Sequence, residues 1–236
     1  MWMELLQVFR AGDPMEKLAS DFQTMLLTVK DMGGLVEPHI FSMDLSLESS
    51  KKVYDLDVQV NKLERKIRKR VVAHVSLGRG NIPYCLLLMT LVKDVERIGD
   101  YLKNISEINR LGGGQIPESD LRTELEDLVA LAMVLLNETS EILREQNRER
   151  AIELIQEGRA AGKRCDKLLV QLAKSDFNAA QTSSMVLLTR FFKRLGGHYV
   201  NILSSIVMPL HKVDFFDEKL LEEIQQDSDN TGGGAE

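Results

Sequence analysis

Asp94-Val-Glu-Arg-Ile-Gly-Asp-Tyr-Leu-Lys-Asn104 is the stretch on which the fold reading turns, because the chain writes it twice. It returns, altered, as Arg194-Leu-Gly-Gly-His-Tyr-Val-Asn-Ile202, set against Arg97-Ile-Gly-Asp-Tyr-Leu-Lys-Asn-Ile105. Glu96 and Asp100 stand four residues apart, slightly more than one α-helical turn, so both carboxylates leave one helix face. Two like charges so placed repel by a few tenths of a kcal/mol unless a cation sits between them. Lys93, Arg97 and Lys103 could supply it, and so could a metal ion. Gly99, inside the helix, costs about 1 kcal/mol against alanine and points to a close approach by a neighbouring group.

The helices around this stretch repeat as well. Leu18, Phe22, Met25, Val29, Met32 and Val36 step by four and three, as an amphipathic helix requires. Val53, Leu56, Val60, Leu63 and Ile67 do the same, and a third helix runs from about Pro83 to Arg110. Proline suits its first turn, and Gly112-Gly113-Gly114 stops it. Pro38 ends or kinks the first helix. Leu121, Leu125, Leu128, Ala132, Leu135, Thr139 and Ile142 then restate the first helix. Ile155, Gly158, Gly162, Cys165 and Leu169 restate the second. Period-2 alternation is absent, so the fold class is all-α: two antiparallel three-helix bundles related by an internal repeat. The expected units are 1–110, 120–210, and an acidic C-terminal tail at 211–236. In that tail Asp214 to Ile224 reads as a short amphipathic helix and the polar, Gly-rich end as disordered. Pro209 closes the sixth helix.

Composition narrows the function. The 236 residues carry 36 acidic and 30 basic side chains, a net charge of −6, which argues against a nucleic-acid binder. Two cysteines far apart, Cys85 and Cys165, read as free thiols in a reducing compartment. The opening MWMELLQVFRAGDP lacks the basic and apolar regions of a signal peptide. The longest apolar run, Leu128 to Leu136, falls far short of the roughly 18 residues a membrane span needs. The expectation is a cytoplasmic protein without direct membrane insertion, reaching the inner face of the membrane through partners.

Other motifs carry less chemistry. Gly158-Arg-Ala-Ala-Gly-Lys-Arg164 is one residue short of a phosphate-binding loop and lies mid-helix, so its glycines read as close-packing positions. His39, His74, His198 and His211 lack the Glu-x-x-His spacing of a di-metal oxidase. They read as structural or surface side chains. Met25, Met32, Met89, Met133 and Met185 fall among apolar positions and read as core. The basic run Lys62, Arg65, Lys66, Arg68, Lys69, Arg70 reads as cations complementing a helix C-terminus, with docking to an acidic partner or membrane surface as the other reading.

For Glu96 and Asp100 a hard cation is one reading, with further ligands from another helix. Asp57 and Glu64, seven residues apart on the second helix, could face the third, and Glu107 continues the stripe. The other reading is a charged face balanced by Lys93, Arg97 and Lys103. Asp94 to Glu107, together with Asp57-Val-Gln-Val-Asn-Lys-Leu-Glu-Arg-Lys-Ile67, resembles the PhoU family of phosphate-uptake regulators over about residues 15–210. The resemblance implies two three-helix repeats and iron or zinc, or another divalent cation, on a Glu/Asp-x-x-x-Asp motif. By position it gives Glu96 and Asp100 as metal ligands and matches Asp57 and Glu64 to acidic positions of the family's second helix; Glu107 joins the candidate set by its spacing from Asp100 alone. The second copy departs from the pattern: Lys193 and Gly197 stand where Glu96 and Asp100 would recur, so any metal is expected on the first repeat only. The resemblance further implies a non-enzymatic regulator, a possible homodimer, docking to phosphate transporter components and a sensor histidine kinase. Competing readings are an accessory subunit of another phosphate or ion transporter, and a metal-dependent enzyme using Glu96 and Asp100.

Overall fold

A computed structural model of the protein describes residues 14–78 and 81–213. Among these residues there are six α-helices and no strand: α1 Pro14–Val36, α2 Leu47–Ser76, α3 Ile82–Glu107, α4 Asp120–Glu145, α5 Arg148–Leu172 and α6 Ala179–Val207. Short 3-10 turns cover Glu37–His39 and Leu210–Lys212. The expected helix and tail from Asp214 onward lie outside the described residues.

Side-chain caps set where most helices begin. Ser46, Asn81, Ser119, Asn147 and Asn178 each accept a hydrogen bond from the backbone N–H three residues on, starting α2 to α6 in turn. At α6 the cap is reciprocal, since the Gln181 side chain accepts from the Asn178 N–H at 3.2 Å. Such caps contribute about 1 kcal/mol each. The stops are equally local. Pro38 follows α1, Gly78 and Gly112 take left-handed φ of 61° and 91° after α2 and α3, and Pro209 follows α6.

Burial orders the helices. α3 and α6 bury far more of their length than α2 and α5, whose buried residues number six each. The third and sixth helices therefore form the shared centre, packed on each other, and the outer helices flank them. One apolar core runs through all six helices, and Leu18, Met25, Val29, Met32, Leu125, Leu128 and Leu135 sit in it as their spacing requires. A second link between the halves joins α1 to α4: a Cβ on Gly33 would lie 2.5 Å from Leu136 Cδ1.

Four readings of the sequence need correction. On α2 the buried seam is Val53, Asp57, Val60, Glu64, Ile67 and Val71, with Leu56 and Leu63 only partly covered. Two acids thus take the core positions expected for leucines, for a reason found in the ion pairs below. On α5 the buried residue is Leu168, not Leu169. Gly158 does permit close packing, since an added Cβ would meet Val200 Cγ2 at 2.8 Å, but Gly162 has open space around it. The basic run does not cap α2. The helix continues to Ser76 and its last turn holds only His74, while dipole effects fade within the final turn.

Candidate functional site

The two acidic positions of α2 face the motif of α3, and the side chains there alternate in sign. Arg68 Nη2 lies 3.1 Å from Glu64 Oε1, and Lys93 Nζ lies 4.0 Å from that same oxygen. Lys93 Nζ reaches Glu96 Oε2 at 2.6 Å, and Arg97 lies 3.7 Å beyond it. Arg97 Nη1 donates to Asp100 Oδ2 at 3.1 Å. Lys103 Nζ then bridges Asp100 Oδ1 at 3.1 Å and Asp57 Oδ2 at 2.9 Å. Four acids and four bases form one ladder that straps α2 to α3. It explains why Asp57 and Glu64 tolerate seam positions: each buried carboxylate is paired with a cation, Asp57 with Lys103 and Glu64 with Arg68.

Lys103 is the rung that crosses between helices at one end. Partial burial pulls its ammonium pKa down, but the hydrogen bonds and charges of Asp57 and Asp100 outweigh this and the net shift is upward. Glu107 stands apart, paired at 3.0 Å with Arg110 just past the end of α3. Gly99 is buried at the centre of the motif, and a Cβ there would meet Val29, Val60 and Met32 at 3.6–3.7 Å, ordinary van der Waals contact.

The donor chemistry of Glu96, Asp100, Asp57 and Glu64 suits a hard or borderline divalent cation. Asp57 Oδ1 is also buried with no hydrogen-bond partner. The placement does not gather the donors, however. Among the described residues no three Asp, Glu, His or Cys side chains converge on a common point, and the basic chains fill the spaces between the acids. A metal would need Lys93 and Lys103 to swing outward into solvent, which both side chains already reach in part.

The second copy of the motif is built otherwise. Lys193 Nζ sits 2.5 and 2.6 Å from the Asp166 carboxylate oxygens of α5. Gly197 is exposed, and a Cβ there would meet nothing within 4 Å. Between the two copies lies a polar junction that the sequence reading did not single out. His198 Nδ1 is 2.7 Å from Asp94 Oδ1, and Asn201 Nδ2 donates to the same oxygen at 3.1 Å. Tyr101 stacks on the His198 ring at 5.8 Å and tilts against Phe191 at 5.9 Å. Asp94 could have been found: it lies three residues after buried Leu91 and four before buried Ile98, on the stripe facing α6. Cys85 and Cys165 are buried free thiols, and burial pushes both pKa values up, that of Cys165 to about 11, so neither is an activated nucleophile. No helix among the described residues is long and apolar enough to cross a membrane.

The PhoU domain model matches residues 23–108, which take in most of α1 and all of α2 and α3. A phosphate-specific transport system accessory protein PhoU homolog of Rhizobium meliloti (strain 1021) is 23% identical over 195 residues, 75% of this chain and 80% of that protein. The corresponding PhoU homolog of Zymomonas mobilis subsp. mobilis is 34% identical over 80 residues, 33% of this chain and 32% of that protein. The fold matches the crystal structure of PhoU from Pseudomonas aeruginosa with a TM-score of 0.71 at 17% identity, covering 82% of this chain and 95% of that one. It also matches the phosphate transport system regulatory protein PhoU from Streptococcus pneumoniae, with a TM-score of 0.71 at 16% identity over 86% and 97% of the two chains. Residues 23–108 thus match the PhoU domain, and the six-helix fold is that of the solved PhoU structures.

Proposed function

We propose that this protein is a non-catalytic accessory regulator of phosphate uptake and phosphate-starvation signalling. It acts by docking to a phosphate transporter component or its sensor histidine kinase at the cytoplasmic face of the membrane. The relatives' role as accessory proteins of phosphate-specific transport supports the reading. The observation that carries the docking is a surface. Val72, Val75, Leu77, Ile82 and Leu86 are exposed where α2 ends and α3 begins, and they make up half of the ten large hydrophobics exposed among the described residues. Such concentration marks an interaction site.

Cations extend this apolar end. Lys62, Arg65 and Lys69 follow one another at i, i+3 and i+7 on α2, in line with Val72, and all three are exposed. Lys66 and Arg70 are engaged by Asp21 of α1, and Arg68 by Glu64, whereas these three have no acidic partner among the described residues. An apolar end with a basic stripe fits a partner presenting an apolar pocket rimmed by acids. Crosslinking and recovery from membranes, with and without phosphate starvation, tests this. The wild-type protein is expected to recover transporter or kinase components, and Leu77→Glu with Ile82→Glu to recover at least about fivefold less. Equal recovery by both proteins, or none by the wild type, contradicts it.

A divalent ion, iron or zinc, on Glu96 and Asp100 of the first repeat is the second part of the proposal. The carboxylate donor set and the unpartnered Asp57 oxygen support it. Metal analysis of the purified protein should find the ion in wild type and Lys193→Ala but not in Glu96→Ala. A metal-free wild type, or equal loss from both variants, rejects it.

A further inference from the structure

Lys193 and Gly197, which replace the acids of the first motif, sit in a cleft of about 320 Å³ lined by Arg190, Lys193, Arg194, Gly197, His198 and Asn201. All six belong to one face of α6. The acids near this face are already answered: Asp166 by Lys193, and Asp94 by His198 and Asn201. Arg190 and Arg194 are not. They lie one turn apart, both exposed, with no carboxylate partner among the described residues. Like charges at that spacing oppose each other by a few tenths of a kcal/mol, which a shared anion would reverse. In the first repeat, by contrast, Arg97, the counterpart of Arg194, is clamped on Asp100.

We propose that this cleft binds a phosphoryl oxyanion, either inorganic phosphate or the phosphate of a nucleotide. Arg190 and Arg194 form the clamp, because guanidinium forks match tetrahedral oxyanions in pairs. Lys193, held by Asp166, neutralises the nearby carboxylate and leaves the clamp to the two arginines. Gly197 matters by what it lacks: at the equivalent place the first repeat carries Asp100, whose charge would repel the ligand. The two substitutions, acid to lysine and acid to glycine, turn a cation-facing surface into an anion-facing one. The cleft is open to solvent along this helix face and has room for a phosphate with a substituent. This goes beyond the docking reading and stands or falls separately from it, since it is measured on the purified protein alone.

Isothermal titration of the full chain with inorganic phosphate, and separately with ADP, tests the proposal. Saturable binding of at least one is expected at or below about 10 mM. Comparable affinity for both assigns the site to free phosphate, and at least about tenfold tighter ADP assigns it to a nucleotide phosphate. Arg190→Ala with Arg194→Ala is expected to weaken binding about tenfold or more, and so is Gly197→Asp, whose new side chain has room and adds the missing charge. Arg148→Ala, an exposed charge change elsewhere, should bind as wild type does. Absence of saturable binding by either ligand overturns the proposal, as does undiminished binding by both cleft variants with wild-type helical circular dichroism.

Discussion

Lys103 ties the ladder together because it holds the most buried acid. Asp57 is 4% exposed, and Lys103 is the cation within hydrogen-bond reach of its carboxylate. Lys103→Met should therefore destabilise the fold by about 2–3 kcal/mol in urea unfolding, chiefly by leaving Asp57 unpaired in the seam. Adding Asp57→Leu should restore most of the loss, since replacing both partners removes the orphaned charge. The pH dependence follows from the raised Lys103 pKa. Its contribution is complete below the ordinary lysine value of 10.5 and is lost as pH rises through the higher folded-state value. Unfolding midpoints of wild type and Lys103→Met should accordingly converge at alkaline pH. A gap that stays constant there would contradict the role given to Lys103.

Helix contacts decide what the glycines do, and here spacing alone misleads. Gly158 and Gly162 are both on α5 and both look like packing glycines. Only Gly158 has a neighbour in the way, Val200 Cγ2 of α6. Gly162→Ala should stabilise by up to about 1 kcal/mol through helix propensity, while Gly158→Ala should gain less or lose stability. Equal gains in denaturant titrations would show that α5 and α6 do not approach as described. Gly99→Ala belongs with Gly162, because its neighbours stand at ordinary contact distance. The element pattern itself was legible: step-three and step-four spacing placed the seams of α1 and α4, and Pro38, Pro83, Gly112 and Pro209 marked their punctuation. The α2 seam was misread by one residue because apolar counting favours Leu56 and Leu63 over Asp57 and Glu64. Their burial depends on cations forty or so positions away or on the next turn, which periodicity cannot register.

Over the whole molecule, the internal repeat that announced the fold also separates two surfaces of opposite character. The first repeat keeps its acids and answers them with a ladder, and the second exchanges them for a lysine and a glycine beside two arginines that have no carboxylate partner among the described residues. The exchange was visible in sequence because the frame residues Arg194, Gly196, Asn201 and Ile202 remain. The apolar end at Val72–Leu86 was not, because exposed leucines and valines in a helical pattern look the same as buried ones until the packing is known. That surface is where the account of function is most exposed to test. The direct measurement is a phosphate-starvation reporter in cells lacking the protein, complemented with wild type or with Leu77→Glu and Ile82→Glu, at matched abundance and fold. Wild type should repress the reporter in phosphate-replete medium and the variant should not; repression by the variant equal to wild type would contradict regulation by docking through this surface.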